Sequence, residues 1–185
     1  MRKDFGARPY TYPQPVFILA AFDLSGKANA MNAAWGGISE ENEVSICLSA
    51  NHKTVLDILA TGLFSVSMGV ASEVASCDYV GIVSGNAEPD KILKAGWHVS
   101  KGSYGAPIID ELPMTLECRL IEYDKSSCIM RGEILNVSAD ESVLTDGKID
   151  PSKLRPICFD PCNNAYLVVG EKVGNAFKDG LALKK

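Results

Sequence analysis

The chain has 185 residues, of which 46% are hydrophobic and 22% are charged, as in an ordinary globular protein. A chain of this length buries about 70% of its unfolded surface, so we expect a single domain over residues 1–185 that folds without disulfides or metal. The longest purely apolar run, residues 16–22, is too short to span a membrane, and 18 scattered basic residues with a net charge of −5 argue against a nucleic-acid partner.

Short strands dominate the predicted elements. Apolar runs or alternation of period two predict strands over residues 16–22, 43–49, 64–68, 114–121, 128–138 and 166–169. Helical spacing of apolar residues predicts helices over residues 54–61, 71–79 and 90–95. Thr54 is the expected N-cap of the first helix and Gly62 its stop. Because strands outnumber helices and do not alternate with them, we expect a mainly β protein, an antiparallel barrel with a few helices.

The six cysteines form no pattern typical of a metal site or a disulfide framework. No CxxC motif occurs, and no second cysteine pair or histidine cluster completes a zinc site with Cys158 and Cys162. The first 15 residues contain several prolines, so we do not expect them to act as a signal peptide. We therefore expect reduced thiols, no metal and a cytoplasmic location.

Several common catalytic motifs are absent. There is no GxGxxG segment after a strand, no GxxxxGK[ST] phosphate loop and no GxSxG nucleophile elbow. Neither His52 nor His98 accompanies a recognisable nucleophile, so we nominate no catalytic residue.

Three stretches indicate a ligand site. Asn29–Gly36 combines small residues, two carboxamides and Trp35, which suits a flat heterocycle with a mixed polar edge. The alternative is a tight sheet edge with Trp35 in the core. Ser49–Thr54 joins hydroxyls, a lysine and a predicted helix start, which suits a phosphate monoester; the alternative is a plain N-cap with surface charges. Val80–Gly85 and the following Asp90-Lys91 could fold over the ligand, or form a mobile surface loop.

Taken in order, these stretches resemble the flavin reductase-like family, which includes the flavoredoxins and binds FMN. The resemblance extends from about residue 10 to residue 180. The matching segments are 15–17, 26–35, 52–54, 80–85, 90–91, 106–109, 117–118, 132–134 and 166–170.

The resemblance implies a six-stranded antiparallel Greek-key split barrel that forms a homodimer, with FMN bound noncovalently in a groove at the interface. It also implies the residues that bind FMN. Around the ring and ribityl chain these are Asn29, Ala30, Met31, Asn32, Ala33 and Trp35. Around the phosphate they are Ser49, His52, Lys53 and Thr54, with Ser84 and Lys91 from the following loop. Asn32 stands where many relatives carry Thr or Ser.

The implied activity is that of an FMN-dependent oxidoreductase of the flavin reductase type, with NADH or NADPH as the donor. The cofactor would carry the redox chemistry while the protein orients it and leaves one face open. Three alternatives remain. The protein could be a flavoredoxin-like electron carrier with a protein partner, a non-catalytic flavin-binding module, or a barrel for another phosphate ester such as pyridoxal phosphate.

Overall fold

The structure is a computed structural model and describes residues 1–184. Its helices are α1 (Lys53–Thr61), α2 (Val74–Ile82), α3 (Lys91–Lys94) and α4 (Pro151–Leu154). Its strands are β1 (Gln14–Pro15), β2 (Phe17–Phe22), β3 (Ala28–Ala33), β4 (Gly36–Glu40), β5 (Glu43–Cys47), β6 (Leu63–Met68), β7 (Val99–Lys101), β8 (Pro107–Ile109), β9 (Met114–Asp124), β10 (Ile129–Ala139), β11 (Leu144–Thr145), β12 (Lys148–Ile149), β13 (Ile157–Asp160) and β14 (Ala165–Val168).

The main sheet is antiparallel and has the strand order β3-β2-β6-β9-β10-β5-β4. It has seven strands rather than the expected six. Residues 28–33 and 36–40, for which no strand was predicted, pair with β2 and β5, whereas the strand predicted at 166–169 belongs to a smaller sheet. Two register shifts between β9 and β10 bend this long hairpin, and the sheet curls into a half-barrel. Gly132 lies at one of them, and a Cβ there would come within 2.4 Å of the ring of Phe64. The expected mainly β split-barrel fold is confirmed.

Strand β2 separates two hydrophobic clusters. Ile18 and Ala20 pack in one cluster, together with Trp97 from the loop after α3. Leu19 and Ala21 point the other way and pack in the second cluster. All four β2 side chains are fully buried, so this strand is covered on both faces.

Helix α1 begins one residue earlier than predicted, at Lys53, with His52 as its N-cap. The expectation of a Thr54 N-cap is therefore wrong, and the Thr54 hydroxyl instead accepts a hydrogen bond from Asn29. The predicted stop is confirmed. Gly62 takes a left-handed conformation (φ 76°), and its N–H donates to the Ile58 carbonyl at 2.8 Å.

Helix α2 extends beyond the predicted end at Tyr79 and reaches Ile82. Residues 80–82, expected in a flexible loop, are therefore helical, and the loop proper begins at Val83. Gly81 lies in the last turn, where a Cβ would come within 3.0 Å of the Asn32 Cβ. Glycine at this position lets α2 lie close against β3.

Smaller sheets and two exposed ends complete the chain. The small sheets have the orders β1-β13-β14, β7-β8 and β11-β12. Residues 1–13 and 169–184 expose their side chains throughout. No helix within residues 1–184 is long and apolar enough to cross a membrane.

Candidate functional site

A pocket of about 180 Å³ lies between β3, the start of α1, the end of α2 and the loop that follows it. The structure therefore brings the three stretches of the sequence analysis together. Expected site residues that line this pocket are Asn29, Met31, Asn32, His52, Lys53, Thr54, Ser84 and Lys91. The other lining residues are Val80, Gly81, Ile82, Val83 and Gly85.

The N-terminus of α1 supplies the pocket with hydrogen-bond donors. The first helical hydrogen bond runs from the Leu56 N–H to the His52 carbonyl, at 3.1 Å. The N–H groups of Lys53, Thr54 and Val55 precede that bond and have no acceptor within the helix. Together with the positive end of the dipole of this nine-residue helix, they favour an anion.

A buried hydrogen bond connects β3 to this helix start. Asn29 Nδ2 donates to Thr54 Oγ1 at 2.6 Å. Gly85 approaches from the loop after α2, and a Cβ there would lie 2.3 Å from Asn29 Oδ1. A larger residue at this position would displace either Asn29 or the loop.

The charge of Lys53 is shared with two carboxylates. Its ammonium donates to Asp57 Oδ1 and lies 3.6 Å from Asp23 Oδ2. Hydrogen bonds from Ser25 and from the Lys27 backbone lower the pKa of Asp23 to about 2, so this carboxylate is ionised at neutral pH. The second oxygen of Asp57 is buried and finds no hydrogen-bond partner among residues 1–184. An anion in the pocket would therefore rely on the helix N–H groups and the Thr54 hydroxyl as much as on Lys53.

Lys91 is buried at the back of the pocket, with only 3% of its surface exposed. Its ammonium donates to the carbonyls of Val80, at 3.1 Å, and of Val83, at 2.9 Å. Burial lowers the pKa of Lys91 to about 8. The side chain thus fixes the end of α2 against α3, and two of its donors are already engaged.

Asn32 lies where β3 meets α2. Its Nδ2 donates to the Cys77 carbonyl at 3.1 Å. Next to it, the Tyr166 hydroxyl donates to Asp78 Oδ1 at 2.7 Å. The pKa of Tyr166 is raised, mainly because the side chain is partly buried and secondly because of this hydrogen bond. Neither Asp78 nor Tyr166 is among the expected site residues. Tyr166 belongs to a segment that matches the family, but its contact with Asp78 joins residues 88 positions apart and has no sequence signal.

A family model described as "Flavin reductase like domain" matches residues 9–153 of this sequence. The chain belongs to the flavin reductase-like family. The resemblance seen in the sequence is thereby confirmed, and FMN is the cofactor expected of a member. None of the curated proteins matches this chain.

Solved structures agree with this family membership. The chain is 35% identical to flavoredoxin of Desulfovibrio vulgaris (Miyazaki F), with a TM-score of 0.93, and the match covers 97% of this chain and 100% of that one. It is 30% identical to flavoredoxin from Methanosarcina acetivorans, with a TM-score of 0.85 and coverage of 99% and 98%. An FMN-binding domain of a flavin reductases-like enzyme from Shewanella baltica, 20% identical with a TM-score of 0.77 and coverage of 88% and 89%, shares the fold.

Four expected site residues of this flavin reductase-like protein lie outside the pocket. Ala30 and Ala33 are buried in the two hydrophobic clusters. Ser49 is exposed, and its carbonyl accepts from the His52 N–H at 3.2 Å. Trp35 is 57% exposed, so the alternative that it belongs to the core is wrong. It lines a separate groove beside the N-terminal segment.

Proposed function

We propose that this protein binds FMN in the pocket at the start of α1 and acts as an oxidoreductase of the flavin reductase type. In this role it passes hydride or electrons between a nicotinamide donor, NADH or NADPH, and FMN. The observation that carries the proposal is that Asn29 on β3 and Thr54 on α1 share one pocket at a helix N-terminus, in a chain of this family.

The residues of the pocket fit the phosphate end of FMN. Unpaired N–H groups of α1, the Thr54 hydroxyl and Lys53 offer donors to a phosphate. The carboxamides of Asn29 and Asn32 offer both donors and acceptors to the ribityl chain and the polar edge of the ring. When bound, FMN supplies the redox chemistry, while these residues bind and orient it.

The size of the pocket supports a homodimer. Sites for ligands of this size usually enclose about 300–1,000 Å³. The pocket of one chain measures about 180 Å³, so it accommodates the phosphate end and leaves the ring to lie beyond it. We propose that a second copy covers the ring, with FMN at the interface. The scattered basic residues support the absence of a nucleic-acid partner, and the six unpaired cysteines support a cytoplasmic location.

The phosphate assignment is tested by comparing FMN with riboflavin, which lacks the phosphate. In the double variant Lys53→Ala/Thr54→Ala, we expect FMN affinity to fall about tenfold or more, because charge-assisted hydrogen bonds contribute about 1.5–3 kcal/mol. Riboflavin affinity should change much less. Quenching of flavin fluorescence measures both. The control Thr145→Ala/Lys148→Ala removes the same residue types from the β11-β12 hairpin, which does not line the pocket. An equal loss for both flavins contradicts the assignment.

A flavoredoxin-like electron carrier is the second candidate. It is favoured because two flavoredoxins, at 35% and 30% identity, match nearly the whole chain. Anaerobic stopped-flow mixing with NADH and with NADPH separates the two functions. A reductase bleaches the flavin absorption band rapidly with at least one donor. A carrier bleaches slowly with both and is reduced by dithionite. A bound flavin that turns over with no donor or acceptor would instead indicate a non-catalytic module.

A further inference from the structure

Residues 169–184, which we call the C-terminal arm, begin at Val169, whose N–H donates to the Pro156 carbonyl of the same chain at 2.9 Å, and beyond it carry apolar side chains that are almost fully exposed. The exposed fraction is 97% for Val173, 99% for Phe177 and 86% for Leu183. Large apolar side chains at this level of exposure, grouped within one segment, are typical of a contact surface rather than of scattered surface residues.

The arm nevertheless has a definite local structure. The Asn175 N–H donates to Asp179 Oδ2 at 2.8 Å, and residues Asp179–Leu183 form a 3₁₀ helix. Phe177 takes a left-handed backbone conformation (φ 62°), which is uncommon for a bulky residue. Ordering a segment costs conformational entropy, and strain at Phe177 adds to it. The exposed apolar side chains of the arm bury little on its own barrel, and a contact with another molecule would offset these costs.

The total accessible surface of the chain also favours a contact with another molecule. A compact monomer of 19.8 kDa exposes about 8,600 Å² according to the scaling of surface with mass. This chain exposes 11194 Å². The excess of about 2,600 Å², to which the exposed residues 1–13 also contribute, is comparable to the surface that each copy buries in a large obligate dimer.

An apolar depression on the barrel offers a place for the arm. Two adjoining cavities of about 520 and 310 Å³ share Pro13, Pro15 and Gly36, and we call them together the Trp35 groove. Their apolar lining residues include Trp35, Val16, Phe17, Met68, Ile157 and Cys158. The groove adjoins the candidate site along the chain, because Trp35 follows Asn32 of the pocket by three residues.

We propose that the C-terminal arm of one copy lies in the Trp35 groove of a second copy, with Phe177 as the main anchor. A two-fold axis makes the exchange reciprocal, so that two arms fill two grooves. The proposal rests on the homodimer of the proposed function and adds to it the segment that holds the copies together. It also assigns the exposed Trp35 to the interface rather than to the flavin ring.

Sedimentation velocity over a range of protein concentrations tests the anchor. We expect the unaltered chain to be a dimer and Phe177→Asp to weaken dimerisation at least tenfold. Aspartate tolerates the left-handed conformation of this position, so the variant should fold. Ile149→Asp is the control, because Ile149 is an exposed apolar residue of the β11-β12 hairpin, which lines neither the pocket nor the Trp35 groove. It should dimerise normally. A Phe177→Asp protein with an unchanged dimer dissociation constant overturns the proposal.

Crosslinking tests the groove. In Phe177→Cys, oxidation by dioxygen with a copper–phenanthroline catalyst should join the introduced thiol to Cys158 of a second copy. The two thiols release two protons and two electrons to dioxygen as the S–S bond forms. We expect a covalent dimer on a non-reducing gel, and its loss in Phe177→Cys/Cys158→Ser. The same bond found within a monomer shows that the arm folds onto its own groove, which overturns the exchange.

Flavin binding is measured on the same samples, so that a failure of the arm exchange can be distinguished from a failure of FMN binding. A monomeric chain that binds FMN overturns the arm exchange and leaves FMN binding in place. A dimer that loses its stability in Phe177→Asp but binds neither FMN nor riboflavin supports the exchange and contradicts the proposed function.

Discussion

Asn29 Nδ2 donates to Thr54 Oγ1 at 2.6 Å, and among the described residues this is the one side-chain hydrogen bond between β3 and α1. The exposed fractions of the two residues are 8% and 1%, so neither group has ready access to water. A buried polar group that loses its partner is costly, and the bond therefore fixes the position of the helix start relative to the strand.

Thr54→Val tests how much this bond stabilises the protein. Valine has nearly the shape of threonine but accepts no hydrogen bond, so the Asn29 amide is left buried and unpaired. We expect the free energy of unfolding to fall by about 1–3 kcal/mol. Urea unfolding of the flavin-free protein measures it. Ser39→Ala, which removes an exposed hydroxyl from β4, should change it by less than about 0.5 kcal/mol. Equal effects of the two substitutions would contradict the role of the bond.

Gly85→Ala should weaken FMN binding. Its new Cβ would lie 2.3 Å from Asn29 Oδ1, and Asn29 cannot move aside freely because Thr54 holds it. The loop after α2 must shift instead, which alters the pocket wall. We expect a severalfold higher FMN dissociation constant by fluorescence titration. Gly37→Ala is the control, since nothing lies within 4 Å of a Cβ at that position. An unchanged affinity in Gly85→Ala would show that the loop yields without affecting the site.

The buried Lys91 predicts a particular pH dependence of stability. Burial lowers its pKa from 10.5 to about 8 in the folded protein. Between these pH values the unfolded chain binds more protons than the folded one, so the free energy of unfolding rises with pH. Relative to Lys91→Met, the unaltered protein should gain stability from pH 8 upwards and show no such gain below it. Lys101→Met, which removes an exposed lysine, should leave the slope unchanged. Parallel curves for the unaltered protein and Lys91→Met would refute the prediction.

The surface pair His98–Glu111 can be followed by NMR, because His52 is the only other histidine. The ring Nδ1 of His98 lies 2.6 Å from Glu111 Oε1, and this hydrogen bond raises the pKa of His98. In Glu111→Gln the His98 ring resonance should titrate at lower pH than in the unaltered protein. The pair stabilises the folded state at acidic pH, and the contribution disappears as pH rises through the raised pKa. An unchanged His98 titration would show that the carboxylate is not its partner in solution.

Alternation of apolar and polar residues was sufficient to predict most of the main sheet. Val44 and Ile46 face the core and their neighbours do not, which is the pattern that a half-buried strand requires. Two strands of the sheet were missed. Residues Ala28–Ala33 of β3 were interpreted only as part of a ligand-binding stretch. The residues Gly36–Glu40 of β4 are mostly polar or glycine, and their pairing depends on β5 beside them. The end of α2 was missed because Gly81 reads as a loop residue, whereas close packing on Asn32 requires it within a helix.

The sequence predicted which residues meet at the candidate site better than it predicted the ion pairs among them. The helix start at residues 52–54 and the carboxamides of β3 do meet in one pocket. The Lys53–Asp57 pair has the i, i+4 spacing of a helical ion pair and was open to prediction. Asp23 was not, since it reaches Lys53 from a hairpin turn 30 residues earlier. The exposure of Trp35 also depends on tertiary structure, because tryptophan occurs both in cores and on contact surfaces.

The double coverage of β2 has a consequence for how the molecule unfolds. Ile18 and Leu19 are neighbours in sequence but anchor opposite clusters, so neither cluster can come apart while the strand holds the other in place. We therefore propose that the whole barrel melts as one cooperative unit. Scanning calorimetry should then show a single endotherm whose calorimetric and van't Hoff enthalpies agree, whereas two resolved peaks would mean that the clusters melt independently.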